Sequence, residues 1–141
     1  MKDSPKYILT KRQGLAVLFI LLLIDTLFDV IRGTQGNPIF KPIENSFGIW
    51  VFPFLVPFVV VFFYAVVKFF GRVVYKIDKT PHADEILLTA LAVIFAVHDI
   101  WVFSLDFLGF SLIKDFRHMI PVYIVAGLAY ALWIEHRMRK K

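Results

Sequence analysis

The stretch GLAVLFILLLIDTLFDVI, residues 14–31, decides the class of fold. Ten consecutive apolar residues, 15–24, precede its first charge. A helix needs about 20 mostly apolar residues to cross a hydrocarbon core of about 30 Å, and this stretch is of that order. Lys11 and Arg12 precede it, as they would a signal peptide. The apolar run is too long for one, and Ile31-Arg32-Gly33-Thr34 is a poor cleavage site, so it reads as a permanent span.

Three further stretches follow the same rule: 47–70, 86–110 and 119–134. In the last, Pro121 suits the first turn of a helix. The chain of 141 residues is 59% hydrophobic and 19% charged, with 16 Phe and no Cys. A soluble domain of this size has too little interior for that apolar content. Thiol catalysis, Cys-ligated zinc and iron–sulfur clusters are excluded. The net charge of +5 does not point to nucleic acid, because the basic residues lie between apolar runs rather than on one stripe. The expected architecture is an all-α, polytopic membrane protein, a single domain built as a four-transmembrane-helix bundle.

Orientation follows from the cations. Lys2, Lys6, Lys11, Arg12, Lys68, Arg72, Lys76, Lys79, Arg137, Arg139, Lys140 and Lys141 fall on one side of such a bundle. Only Arg32, Lys41, Lys114 and Arg117 fall on the other. By the positive-inside rule both termini are cytoplasmic and the protein sits in a cell membrane. Residues 32–46 read as an outer loop of turns, with Gly33, Gly36, Asn37, Pro38 and Pro42. Thr80-Pro81-His82-Ala83-Asp84-Glu85 reads as a helix start with an acidic first turn. Trp50, Tyr123 and Trp133 read as aromatic belts, and Gly127 and Ala131 as a small-residue packing pair. The basic tail reads as a contact for anionic lipid head groups.

The residues that point to chemistry are ionisable groups inside spans, each costing about 2.5–3.5 kcal/mol on insertion scales. The first span holds Asp25 and Asp29, four apart on one face; the third holds His98, Asp99 and Asp106. No Lys or Arg is expected within either span. All four carboxylates fall toward the outer side, so the two helices are expected to line a polar cleft opening outward. Pro53 and Pro57 in the second span are expected to free the carbonyls of Ile49 and Pro53 beside it.

Asp25, Asp29, His98 and Asp99 have the composition of a divalent-cation site. The oxygens suit Mg²⁺, Mn²⁺ or Ca²⁺, and the imidazole pulls toward Zn²⁺ or Fe²⁺. Thr26, Asn37 and His118 are secondary candidates. Structural accounts stand beside these. The acids can be neutral and hydrogen-bond between helices; Asp29 and Asp106 can reach the interface near Arg32 and Arg117; His98 can be a satisfied buried histidine; Asn37 can close its own turn.

The run Asp25-Thr26-Leu27-Phe28-Asp29, followed by Gly33-Thr34-Gln35-Gly36-Asn37-Pro38, resembles a family of small prokaryotic membrane proteins of unknown function. In that family an Asp-Thr first span precedes a Gly-rich Asn-Pro turn. Here Gln35-Gly36 replaces the usual acidic residue before Asn-Pro. The resemblance covers the first third of the chain, implies a similar four-span architecture, and draws Asp25 and Asn37 toward one site.

Three functions remain open from the sequence. One is an accessory or complex-forming subunit with an outward polar site. The second is a small transporter or ion-binding unit, acting as a homo-oligomer. The third is an intramembrane metal-dependent enzyme on lipids, with Asp99 as general base. No His-Glu-x-x-His, Gly-x-Ser-x-Gly or P-loop motif is present.

Overall fold

The computed structural model describes residues 7–110 and 112–139. Lys2, Lys6, Lys140 and Lys141, counted above for orientation, lie outside the described residues, as does the side chain of Arg139. Five α-helices are formed: α1 (Lys11–Arg32), α2 (Lys41–Phe47), α3 (Phe52–Asp78), α4 (Ala83–Asp106) and α5 (Phe116–Arg139). All but the short α2 are long and apolar enough to cross a membrane. The fold is therefore all-α and fits an integral membrane protein.

Local chemistry sets the ends. Thr10 opens α1 through a capping box, its hydroxyl accepting from the Gln13 N–H while the Gln13 side chain accepts from the Thr10 N–H. Gly33 closes α1 at φ 77°, a left-handed turn that lets its N–H reach back to the carbonyls of Asp29 and Val30. Acidic Asp84 and Glu85 occupy the first turn of α4, as the sequence predicts.

Four expectations are corrected. The third span ends at Asp106 rather than 110, because the chain turns through Gly109 at φ 64°. The loop 32–46 contains the helix α2, started by Pro42 in its first turn. Pro53 lies in the first turn of α3, and the Ile49 carbonyl accepts from the Phe52 N–H, so it is not freed; Pro57 alone interrupts α3. The last span begins at Phe116, which puts Pro121 inside α5 rather than in its first turn.

Helix α4 is the axis of the bundle: it packs on α1, α3 and α5. α1 also packs on α3, whereas among the helices α5 packs on α4 alone. The main apolar core joins Leu18 and Leu22 of α1, Val56 and Val67 of α3, and Leu88 of α4, with Phe63 and Phe95 edge to face at 5.5 Å. Outward-facing Phe54, Phe58, Phe62 and Phe69 leave one side of α3 apolar and exposed, as a lipid-facing surface requires.

α1 and α4 run parallel and in register. Lys11 pairs with Asp84, Gly14 packs on Leu88, Asp25 faces His98, Phe28 stacks near Phe103, and Arg32 pairs with Asp106. The partners are about 74 positions apart at every level. The chain ends meet at one end of the bundle, where Ile8 packs with Ile86 and Ile134, and Tyr130 donates to the Tyr7 carbonyl at 2.8 Å.

Candidate functional site

Helix lengths place the polar residues. At 1.5 Å per residue, Asp25 and His98 each lie about 5 Å beyond the midpoints of α1 and α4, toward the end away from the termini. Asp99 and Tyr123 lie about 7 Å beyond theirs on the same scale. Four polar side chains from three helices thus share one level inside the bundle.

His98 joins three of them. Its Nε2 lies 3.2 Å from the Asp25 carboxylate on α1, and its Nδ1 lies 2.8 Å from the Tyr123 hydroxyl on α5. With Asp25 ionised and the imidazole neutral, one tautomer serves both contacts. Nε2–H faces the carboxylate, and Nδ1 accepts from the phenol. α1 and α5 do not pack on each other, and His98 links them from α4. Trp101 and Phe116 flank the imidazole with ring centres 5.9 and 6.1 Å away. The Trp101 indole N–H is held by the Ile113 carbonyl at 2.6 Å.

Asp99 behaves differently. One residue further along α4, its side chain points about 100° away from that of His98. It falls on the stripe of Leu88, Ala92, Phe95 and Val102, which faces the core. It is 7% exposed, and neither carboxylate oxygen has a hydrogen-bond partner among the described residues.

Asp29 and Asp106 belong to a second cluster at the far end. Arg32 turns back from the last turn of α1 and pairs with both carboxylates. Asp29 is 2% exposed, so the guanidinium neutralises a buried charge. The expectation that no cation lies within these helices is corrected: Arg32 closes α1 and reaches both acids. Arg117 does not serve Asp106; its backbone N–H bonds Asp115.

The four residues named for a divalent cation are therefore not brought together: Asp25 meets His98, Asp29 pairs with Arg32, and Asp99 faces the core. Among the described residues, no three His, Asp or Glu side chains come together as a metal site. The secondary candidates have structural partners. Thr26 donates to the Leu23 carbonyl, the Asn37 side chain accepts from the Ile39 N–H, and exposed His118 lies 3.9 Å from Asp115.

The loop over the far end is tied to Glu44. Its carboxylate accepts from Lys41 at 2.8 Å, from the Gln35 N–H at 3.0 Å and from Thr34 at 3.2 Å. The Lys41 hydrogen bond, then that from Gln35, holds the Glu44 carboxyl below its ordinary range. A depressed folded value means the tie is complete above the ordinary Glu range and is lost as pH falls through the lower one. In an acid titration the Gln35 amide resonance should follow a midpoint below that of an unperturbed Glu. A midpoint at or above the ordinary value would show that the loop is not fastened this way.

Tyr123 is the site residue the sequence reading misplaced, as a belt residue. With α5 begun at Phe116 it lies about 10 Å along the helix, and it is 9% exposed with its hydroxyl on His98 rather than at a lipid-facing surface. No protein-family model matches the chain, and no curated protein or solved structure is significantly similar to it.

Proposed function

We propose that this chain is a small ion-binding unit of a cell membrane, with both termini cytoplasmic, and that it takes up a proton or small cation at the level of His98. The observation that carries this reading is Asp99. A carboxyl group with two unpartnered oxygens in an apolar core is sustained by a proton, a cation or water, and intramembrane acids of this kind are functional by default. The Asp25–His98–Tyr123 chain beside it supplies a carboxylate, an imidazole and a phenol in hydrogen-bond sequence, a combination suited to passing a proton between helices.

The test is difference infrared spectroscopy of the reconstituted protein across a pH step and across a Na⁺ step. Wild type should show a carboxyl band that responds to one of the two, and Asp99→Asn should lose that band while still folding. If Asp99→Asn leaves every responsive band in place, or wild type has none, Asp99 is a static packing residue.

A further inference from the structure

A second polar feature lies at the opposite end of the bundle and is independent of the ion site. A cleft of about 300 Å³ opens between α1, α3 and the start of α4. Lys11, Lys68 and Arg72 line it, against a single carboxylate, Asp84. That carboxylate is engaged by Lys11 at 2.9 Å. Lys68 and Arg72 lie one helical turn apart on α3, and neither pairs with an acidic side chain among the described residues. The Lys68 ammonium lies 5.9 Å from the centre of the Tyr64 ring.

The floor of the cleft depends on Gly71. A Cβ there would lie 2.8 Å from the Asp84 Cβ and 2.9 Å from its Cα, so only glycine lets the start of α4 come this close to α3. The result is a recess with cations at its rim and no bulky side chain at that point of its floor.

Depth then identifies the ligand. In the apolar span Ile49–Asp78, Lys68 lies about 29 Å from the Ile49 end, at the edge of a hydrocarbon core of about 30 Å. Lipid phosphates lie just beyond that edge. Phe69 and Phe70, both more than half exposed, project from the neighbouring faces of α3 at the same level, as side chains at a lipid boundary do. We infer that the cleft formed by Lys11, Lys68 and Arg72 binds the phosphate of an anionic phospholipid head group. Arg72 can grip two phosphate oxygens at once, and Lys68 acts as a point charge beside it.

The experiment compares the purified full chain with the double variant Lys68→Gln/Arg72→Gln. The double variant Lys76→Gln/Lys79→Gln removes the same charge outside the cleft. Binding is titrated with phosphatidylglycerol, phosphatidylcholine and inorganic phosphate at fixed ionic strength, read as lipid adducts in native mass spectrometry and as melting temperature. Wild type should prefer phosphatidylglycerol to phosphatidylcholine. The cleft variant should lose at least about tenfold in phosphatidylglycerol affinity, and the control should keep it. Equal affinity in the cleft and control variants would overturn the site. Inorganic phosphate binding as tightly as phosphatidylglycerol would overturn the lipid as its source. Because Lys68 and Arg72 are exposed, the unliganded melting temperature should be the same in all three proteins.

Discussion

Replacing Asp99 with Leu is expected to raise the melting temperature of the protein while abolishing its response to protons and cations. The stripe Leu88, Ala92, Phe95 and Val102 already places apolar groups above and below Asp99, and the carboxylate has no hydrogen bond to lose. On insertion scales Asp near a helix centre is unfavourable by about 2.5–3.5 kcal/mol, whereas Leu is favourable by a few tenths. Even after partial offset by packing strain, a gain of about 2 kcal/mol is expected. Leu and Asp differ in shape, so Asp99→Asn serves as the nearly isosteric companion and should lose the response with a smaller change in stability. With no cation added, a Leu variant that melts at or below wild type would show that Asp99 has a stabilising partner within the protein, and the ion-binding reading would fall with it.

Arg32→Gln should do the opposite and destabilise the fold by about 3–5 kcal/mol, the range for breaking a buried pair from one side. The charge left behind is Asp29, 2% exposed, and Asp106 loses its partner at the same time. The double variant Arg32→Gln/Asp29→Asn should recover much of the loss, because a neutral amide replaces the stranded carboxylate. Thermal unfolding in detergent and in bilayers measures both. A loss below about 1 kcal/mol for Arg32→Gln would place the cluster among solvated surface pairs, which contribute little.

The two variants also separate what sequence can show from what it cannot. Hydropathy and cation placement identify four spans, because the bilayer demands long apolar runs whatever the tertiary contacts. The level of the polar groups was legible too, since 1.5 Å per residue converts position into depth. Partners were not. Arg32 sits at the boundary of its span, and whether it faces water or folds back over Asp29 depends on where Gly33 turns the chain. Tyr123 depends on a helix start at Phe116, where the Asp115 carboxylate caps the Arg117 N–H, a cap signal that the sequence reading passed over. Helix direction around α4 is likewise invisible to a single sequence. Hence Asp99 and His98, adjacent in the chain, read as one site but face different neighbours.

The parallel register of α1 and α4 bears on how this protein can move. Sliding α1 by one turn, about 5.4 Å, would carry Asp25 from His98 to the level of Val102 or Ile94 and pull Arg32 away from Asp106. Lys11, Gly14 and Phe28 would leave their partners in the same step. The two helices mesh like a rack whose teeth engage together, with no half-slipped position that keeps some of them. Motion is left to the Tyr123 end of α5, which packs on α4 alone among the helices and is tied at its other end to Tyr7 and Ile8. A swing of α5 would make or break the imidazole–phenol contact without disturbing the carboxylate behind it, so the hinge of any working cycle lies on the α5 side.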